Sequence, residues 1–406
     1  MTESAEPEAT PANAPPRRRL PRNVYVVSLV SFFQDTASEI LYPILPFFVT
    51  GVLGAPPAVL GAIEGLADGI ASGMKAVSGR LADIRHRRPL VATGYSISAA
   101  GKVVLAAAVA WPIVLVARAT DRVGKGLRGP PRDAIIADET TPANRGRAFG
   151  FHRAADTAGA VVGPLLGLGL YELLGQRFRP LLWIAVIPAL LSVVLVFLIR
   201  ERPHPGLHVE QPWVVRELPR RYWRLISIMG LFAVVNFPDT LLLLRADELG
   251  FGFAGVVALY VLYNLSYALL SYPAGHLSDR LDRRRVYVVG MVVFAVSYAG
   301  FGLTSTADWL WVLFPLYGGY TALTDGVSRA WIADLVPGTS RGTALGIQAA
   351  VSGVGLVVAG VWAGLAWNGT GRLPFLVAAA VVGGLAIVLA ASRSVTTGAG
   401  AAPEPS

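Results

Sequence analysis

Basic side chains recur at short intervals in one otherwise apolar stretch of the chain. Between residues 112 and 138 the sequence places Arg118, Asp121, Arg122, Lys125, Arg128, Arg132 and Asp133. Glycines and prolines at 124–131 predict that a helix here bends or unwinds. One charge at the centre of a bilayer costs about 2.5–3.5 kcal/mol, so these bases are expected to face an aqueous cavity and to pair with acids. The alternative is that the end of the stretch, around Arg132, lies at the membrane surface.

Carboxylates in the neighbouring apolar stretches could pair with these bases or carry a proton. The candidates for proton coupling are the carboxylates Asp35, Glu39, Glu64, Asp68 and Asp121, together with Arg122. A buried carboxylate without a cationic partner favours its protonated form, which suits a group that loads and releases a proton. Asp35 or Glu39 is the first choice, because Pro43 and Pro46 predict a broken helix that lines a cavity. A static ion pair is the alternative for each residue.

A second set of residues could hold a charged solute. Its members are Lys75, Lys102, Arg118, Arg122, Lys125, Arg153, Asp239, Arg245, Tyr263, Asp325 and Arg329. Bases outnumber acids in this set, which favours a solute with a carboxylate or phosphate group, since a cationic drug would meet like charge. The chain has no cysteines, and His204 and His208 have no third ligand nearby, so neither a metal site nor a cofactor is predicted.

The stretches that position these residues are long and apolar. Hydrophobic residues make up 54% of the chain and charged residues 15%, against roughly a quarter charged in soluble domains. About 20 apolar residues in a helix cross the hydrocarbon core of a bilayer. Breaks at charged and Pro/Gly-rich positions give twelve predicted spans: 23–50, 57–79, 89–110, 112–138, 147–174, 180–200, 223–246, 252–278, 285–304, 308–335, 342–367 and 373–392. The fold class is therefore an all-α membrane protein with twelve transmembrane helices.

The positions of the arginines predict the orientation of these spans. They concentrate in 17–22, 80–88, 200–224 and 280–285, whereas the intervening loops carry only Arg177, Arg179 and Arg372. This is the positive-inside pattern, which places both termini in the cytoplasm of a cell with an inner membrane. The net charge of +9 is thus explained by topology, and no nucleic-acid partner is predicted.

An internal repeat divides the chain. Gly79-Arg-Leu-Ala-Asp83 recurs as Gly275-His-Leu-Ser-Asp279, a displacement of 196 residues (275 minus 79), and Ile136-Ala-Asp138 matches Ile332-Ala-Asp334 at the same displacement. The predicted organisation is a disordered cytoplasmic tail (1–22), a six-helix bundle (23–200), a cytoplasmic linker (201–222), a second six-helix bundle (223–392) and a second cytoplasmic tail (393–406). A duplicated unit of this kind is how many secondary transporters are built.

The repeated segment resembles the loop 2–3 signature of the major facilitator superfamily, G-x-L-x-D-R/K-x-G-R-K/R. In the first copy Ile84 and His86 depart from that pattern, and the second copy also lacks the second glycine. The resemblance implies the fold of that family, two pseudo-symmetric six-helix bundles. It also implies a conformational latch formed by Gly79, Asp83, Arg87, Gly275, Asp279 and Arg283. A plain positively charged loop is the alternative.

Two further motifs bear on the mechanism. Gly159-x-x-x-Gly163-Pro164-x-x-Gly167 resembles a motif of the family's proton-coupled exporters, in which Gly163 and Pro164 would take part in gating; simple helix packing is the alternative. Arg122-Val-Gly-Lys125-Gly126 loosely resembles the family's span 4 motif R-x-x-Q-G. Members with that arginine often use it in proton coupling.

The function predicted from these features is secondary active transport by alternating access. The transporter is expected to be proton-coupled, to act as a monomer in the lipid bilayer, and to export a small anionic or zwitterionic organic solute. A broad-specificity multidrug efflux antiporter is the first alternative, and a membrane sensor that does not transport is a further one. No Walker-type phosphate-binding motif is present, so ATP is not expected to drive transport. No nucleophile with a base is evident either, so the chain is not expected to be an enzyme.

Overall fold

Helices make up the secondary structure of the part of the chain that this computed structural model describes, residues 20–140, 142–200, 218–336 and 341–392. Some side chains within helices, including those of Asp83 and Asp279, also lie outside the described part. Most of the predicted linker, with His204 and His208, and nearly all of both predicted tails lie outside it too. The prediction of an all-helical protein is confirmed for the residues described.

The first six predicted spans correspond to eight α-helices and one π-helical segment. Span 1 is divided into α1 (Arg22–Leu41), α2 (Ile44–Pro46) and the π-helical segment Phe47–Val52. Spans 2 to 6 are α3 (Pro57–Ile84), α4 (Arg87–Ala106), α5 (Trp111–Asp138), α6 (Pro142–Leu173) and the pair α7 (Phe178–Ile184) and α8 (Val186–Val196). The break that Pro43 and Pro46 predict in span 1 is confirmed. Of the bend or unwinding predicted in span 4, the unwinding is wrong, because α5 runs without interruption through Pro130 and Pro131, and the bend stays a prediction.

The last six spans correspond to seven α-helices. Span 7 is α9 (Arg220–Val235) followed by α10 (Asp239–Glu248), and spans 8 to 12 are α11 (Phe253–Arg280), α12 (Arg283–Leu303), α13 (Leu310–Leu335), α14 (Arg341–Leu365) and α15 (Arg372–Ala391). A short 3-10 helix, Ala307–Trp309, precedes α13. The break between α9 and α10 was not predicted from the sequence.

Within the described residues, eight of the predicted spans are helices long and apolar enough to cross a membrane: spans 3, 5, 6, 7, 8, 9, 11 and 12. The other four, spans 1, 2, 4 and 10, are the ones in which most of the candidate ionisable residues lie. The charged residues of these four spans lower their mean hydropathy, which is the property by which a membrane span is recognised from composition. That these four also cross the membrane stays a prediction, which their packing among the apolar helices supports.

The two halves of the chain pack their helices in the same pattern. In the first half α5 packs on α3 and α4, and α1 packs on α6 and α8. In the second half α13 packs on α11 and α12, and α9 packs on α14 and α15. Each pairing in the first half therefore has its counterpart six spans later, which supports the predicted duplication.

The halves meet along α3 with α14 and along α6 with α11. The first contact depends on small residues, because a Cβ at Gly65 would lie 2.7 Å from the carbonyl oxygen of Leu356. At one end of the bundle, the ring of Phe253 from the second half contacts those of Phe47, Tyr171 and Phe178 from the first half. We call this the aromatic end and the opposite end, with the loops at 85–86 and 281–282, the arginine-rich end. The two halves are in close contact at the aromatic end.

Candidate functional site

A bidentate ion pair joins α3 to α5 in the first half. The guanidinium of Arg118 donates from Nε and Nη2 to Oε1 and Oε2 of Glu64, both at 2.6 Å. Glu64 is 0% exposed and Arg118 is 3% exposed. A buried pair stabilises a protein only when its geometry is good and its remaining polar atoms have partners. Arg118 meets this condition with a second acid, since its Nη1 lies 3.7 Å from Oδ2 of Asp121.

Further ion pairs extend this cluster to α4 and along α3. Nζ of Lys102 donates to Oδ1 of Asp121 at 2.8 Å. Arg122 lies 3.1 Å from Asp68, 3.6 Å from Asp121 and 3.8 Å from Glu64. We call the resulting set the ion-pair network; its members are Glu64, Asp68, Lys102, Arg118, Asp121 and Arg122. Its formal charges cancel, so it holds three helices together without an excess of either sign.

The arginines nearer the arginine-rich end of α5 bind groups on α1, α4 and α6. Arg128 donates to Oγ of Ser98 at 2.7 Å, lies 4.7 Å over the ring of Tyr95 and is 4.0 Å from Asp35. Arg132 donates to Ser31 and Asp133, both at 3.0 Å, and lies 3.9 Å from Asp156. These contacts connect α5 to its neighbours, and they leave neither arginine free to bind a solute.

Two lysines differ from all these bases because they have no partner. Lys75 of α3 and Lys125 of α5 are exposed, and neither has a hydrogen bond or ion pair within the described part of the chain. The charge of Lys75 interacts with those of Lys125 and Asp68 of its own half and with those of Asp325 and Arg329 of the second half, so it lies near both halves. We call Lys75 and Lys125 the lysine pair. They lie in the space between the two halves, where they are available to an anionic group.

The acids of α1 have different partners from one another. The nearest base to Asp35 is Arg128 at 4.0 Å. Glu39 has no base within 4 Å among the described residues, and its Oε2 accepts a hydrogen bond from the hydroxyl of Tyr260 at 2.6 Å. Tyr260 belongs to α11 and also stacks on Tyr42, with ring centroids 5.3 Å apart. Glu39 is therefore an acid whose hydrogen bond crosses between the halves.

The exporter-like motif on α6 packs against the same two acids. A Cβ at Gly163 would lie 2.7 Å from Cβ of Glu39, and one at Gly159 would lie 3.1 Å from Cβ of Asp35. Pro164 lies inside α6, which continues through it. The glycines thus allow α6 to approach α1 where Asp35 and Glu39 lie, as the packing interpretation of the motif expects.

The second half places one acid among tyrosines. Oδ1 of Asp239 accepts a hydrogen bond from the hydroxyl of Tyr317 at 2.7 Å. Tyr263 stacks on Tyr317 with ring centroids 5.3 Å apart, and Nδ2 of Asn236 donates to the hydroxyl of Tyr320 at 3.0 Å. The candidates Asp239 and Tyr263 are therefore brought together, in a region rich in aromatic side chains.

Other candidates from the second half form a contact with α6. The hydroxyl of Tyr267 donates to Oδ2 of Asp325 at 3.1 Å and accepts from Nη2 of Arg153, also at 3.1 Å. Arg329 donates to Oδ1 of Asp325 at 2.7 Å. The bond from Arg153 to Tyr267 therefore connects the two halves on the side of the bundle nearer the arginine-rich end, and Asp325 and Arg329 extend this contact within the second half.

Arg245 lies apart from the other candidates. It is buried, and it donates to the carbonyl oxygens of Phe301 at 3.3 Å and Thr304 at 2.9 Å. These carbonyls belong to the last residues of α12 and the loop after it, where a cation stabilises a helix C-terminus. The expectation that Arg245 binds solute is not supported by its position, because it caps a neighbouring helix at the far end of span 7.

The latch predicted from the repeated motif is partly described. Arg87 forms an ion pair with Asp138, and its repeat counterpart Arg283 forms one with Asp334, in which the closest atoms are 2.5 Å apart. Among the described residues, a Cβ at Gly79 would meet nothing closer than 4.0 Å and one at Gly275 would meet nothing within 4 Å, so neither glycine allows a close helix contact there. Asp83 and Asp279 lie outside the described side chains, so their part in a latch stays a prediction.

Some residues of the site were missed in the sequence. His152 is buried between Ser28, 3.4 Å from its Nδ1, and Asp156, 3.6 Å from its Nε2; a lone histidine in an apolar helix gives no distinct signal. Tyr260 could have been found, because it shares a helix face with the predicted Tyr263 and with Tyr267. The break in span 7 could also have been found, since proline at 238 cannot donate to a helix.

The chain is similar to known membrane transporters over most of its length. A family model for the Major Facilitator Superfamily matches residues 27–262 and 240–406. An uncharacterised MFS-type transporter of Methanocaldococcus jannaschii is 33% identical over 381 residues, which are 91% of this chain and 95% of the relative. The multidrug resistance protein MdtH of Edwardsiella ictaluri is 25% identical over 323 residues, 76% of this chain and 77% of that protein.

A solved structure shows the same fold. The crystal structure of the nucleoside transporter NupG matches with a TM-score of 0.80 and 16% sequence identity, and it covers 91% of this chain and 99% of that chain. At this level of identity the likeness is one of fold and says nothing of the solute. The resemblance seen in the repeated motif is thus confirmed over most of the chain. The protein is a multi-pass membrane transporter for a small molecule, is not an enzyme, and belongs to the Major Facilitator Superfamily.

Proposed function

We propose that this chain is a proton-coupled secondary transporter that exports a small anionic or zwitterionic organic solute by alternating access. The observation that carries the proposal is the lysine pair. Among the bases of the first half that we predicted to bind solute, Lys102, Arg118 and Arg122 each have an acidic partner. Lys75 and Lys125 have none within the described part of the chain. Because neither ammonium group is held in an ion pair, an anionic solute that enters the space between the halves could bind both without breaking one.

Proton coupling is proposed on the basis of Glu39. Each acid of the ion-pair network has a lysine or arginine next to it. Glu39 has only a hydroxyl partner, and that partner belongs to the other half. A change in the protonation of Glu39 would alter a contact between the halves, which is what coupling proton movement to alternating access requires.

The proposal includes a location and an orientation. The positive-inside pattern supports an inner membrane with both termini in the cytoplasm, so the arginine-rich end would face the cytoplasm and the aromatic end the exterior. The exporter-like motif at Gly159–Gly163, which packs on Asp35 and Glu39, supports export. We propose that the unit of transport is the monomer, because each chain contains both halves of the alternating structure.

Transport in liposomes tests this proposal. Purified protein is reconstituted with a pH-sensitive dye inside, and membrane-impermeant dicarboxylates, phosphate esters, sulfonates, amino acids and cationic dyes are added in turn. We expect proton movement only with members of the anionic or zwitterionic classes. The double variant Lys75→Gln/Lys125→Gln should raise the half-saturating solute concentration roughly ten- to a hundredfold, the effect of losing a charge-assisted hydrogen bond.

The control and the contrary outcomes are distinct. Arg177→Gln removes one positive charge from a loop at the aromatic end, where the side chain is exposed, and should leave the response unchanged. Solute uptake without proton movement would contradict the coupling. A response to cationic dyes alone would favour the second candidate, a broad multidrug antiporter, for which the similarity to a multidrug resistance protein and the aromatic second half are the supporting observations.

A further inference from the structure

The middle of span 7 is interrupted where it faces the first half. Helix α9 ends at Val235 and α10 begins at Asp239, with Asn236, Phe237 and Pro238 between them. Asn236 leaves the helical conformation (φ −91°, ψ 82°), and Pro238 has no N–H with which to continue the hydrogen-bond ladder. In transporters, interrupted helices of this kind bring backbone ends and polar side chains to the solute or ion site.

The side chains around this break mostly offer oxygen atoms. Asp239 has no base within 4 Å among the described residues, and Tyr317 is the partner of its Oδ1. The side-chain oxygen of Asn236 is buried and has no hydrogen-bond partner. The hydroxyl of Tyr298, a fully buried residue, has no hydrogen bond of good geometry either. A buried oxygen without a hydrogen bond beside a carboxylate without a counter-ion is the chemistry of a site for a cation.

The aromatic rings indicate which kind of cation fits. Tyr263 and Tyr317 stack beside Asp239, and Tyr298 and Tyr320 lie 5.9 Å and 5.2 Å from Tyr317, measured between ring centroids. Ammonium groups bind over such faces, whereas divalent metals require several carboxylates or waters. No group of three metal-binding side chains is present among the described residues. The composition of the site therefore favours an organic ammonium group.

An ordinary structural role for Asp239 accounts for only part of this arrangement. An acid in the first turn of α10 stabilises the helix N-terminus, which is worth about 0.3–1 kcal/mol. That role requires neither the unpaired oxygen of Asn236 nor the surrounding tyrosines. The charge of Asp239 also interacts with that of Asp68 on α3, an acid of the other half that pairs with Arg122, so the break in span 7 lies near the space between the halves.

The lysine pair lies on the arginine-rich side of these acids. Along α3, Lys75 follows Asp68 by seven residues, or about 10 Å of helix rise, and along α5, Lys125 follows Arg122 by three residues, or about 4.5 Å. The space between the halves thus has a carboxylate without a counter-ion at Asp239, and two amines without counter-ions nearer the arginine-rich end. Because it would meet complementary charge at both levels, a molecule with both an ammonium and an anionic group fits this arrangement better than an anion alone.

We propose that the break in span 7 is a cation subsite, in which Asp239, Asn236 and the adjacent tyrosines bind the ammonium group of a zwitterionic solute while Lys75 and Lys125 bind its anionic group. This inference rests on the proposed function and narrows its substrate class. A small inorganic cation such as Na⁺ would use the same oxygen atoms, and the experiment separates the two.

Binding of three length-matched probes to the purified chain provides the test. Hexanoate carries the anion alone, hexylammonium the cation alone and 6-aminohexanoate both, and each is titrated by thermal shift in sodium and in potassium buffers. We expect 6-aminohexanoate to bind about tenfold or more tightly than hexanoate, the effect of one added charge-assisted hydrogen bond. Asp239→Asn should bring the two Kd values together without changing that of hexanoate. The control Asp247→Asn makes the same change on α10, near its other end, and should preserve the preference.

Each other outcome overturns the inference in a recognisable way. Equal Kd values for hexanoate and 6-aminohexanoate in the unmodified chain would remove the ammonium subsite and leave the anion transporter standing, and this comparison needs no variant. Tighter binding of hexanoate in sodium than in potassium, lost in Asp239→Asn, would assign the subsite to an inorganic ion. Binding of hexylammonium with no binding of either carboxylate would contradict the proposed function itself.

Discussion

The bases and acids of the first half divide into those with a partner and those without. Glu64, Asp68 and Asp121 are each within 3.1 Å of a lysine or arginine, and they form a scaffold. Lys75 and Lys125 have no partner in the described residues, and Glu39 has a hydroxyl. Function at the scale of single residues is therefore expected from the second group, because a group without a counter-ion can bind or release a charge without breaking an ion pair.

Replacement of Glu39 tests its role in proton coupling. In Glu39→Gln the side chain still accepts a hydrogen bond from Tyr260, but it cannot change its charge. We expect solute binding to remain and pH-driven accumulation in liposomes to fall to the level of protein-free liposomes.

The matched control for Glu39→Gln is Glu172→Gln. Glu172 lies near the end of α6, where its side chain contacts Gln176, and its replacement should leave accumulation unchanged. Retention of pH-driven accumulation in Glu39→Gln would assign the proton to another acid, with Asp35 the next candidate because its nearest base is 4.0 Å away.

At the scale of helices, the ion-pair network holds α3, α4 and α5 together. Arg118→Met leaves Glu64 fully buried with its next base, Arg122, 3.8 Å away. Removal of one partner from a buried pair typically costs about 3–5 kcal/mol, because the remaining charge is left in a low dielectric. We expect the free energy of unfolding in bicelles to fall by about that amount.

The exposed pair on α13 provides the comparison for Arg118→Met. The side chain of Arg329 is 63% exposed, and its bond to Asp325 joins residues one turn apart. Arg329→Met should therefore lower the free energy of unfolding by no more than about 1 kcal/mol. Equal losses in the two variants would show that the network does not stabilise the helices as described.

The sequence predicted most of the helices and few of the contacts between their charges. Long apolar runs and the repeat are local or periodic features, so the spans could be inferred, as could the correspondence of Arg87 and Asp138 with Arg283 and Asp334. The choice of Glu64 as the partner of Arg118 depends on the packing of α3 against α5, which no local pattern encodes. The continuity of α5 also depends on tertiary packing. Its glycines and prolines would weaken the helix in isolation, and neighbouring helices satisfy the backbone groups that the prolines leave without a hydrogen bond.

At the scale of the whole molecule, the two halves are in close contact at the aromatic end. Phe47 and Phe253 contact one another there, and α3 packs on α14 through glycines. Lys75, Arg153 and Arg329 are exposed farther towards the arginine-rich end. Under the proposed alternating access, the structure is closed at the aromatic end, and transport would require that end to open as the arginine-rich end closes.

Distances between spin labels at the two ends test this movement most directly. The chain has no cysteines, so pairs can be introduced at positions related by the repeat. Val109→Cys with Ser305→Cys reports on the aromatic end, and Arg85→Cys with Leu281→Cys on the arginine-rich end; all four side chains are exposed. With a transported solute in liposomes, we expect the first distance to lengthen as the second shortens. Distances that change in the same direction at both ends, or at neither end, would contradict alternating access by this chain.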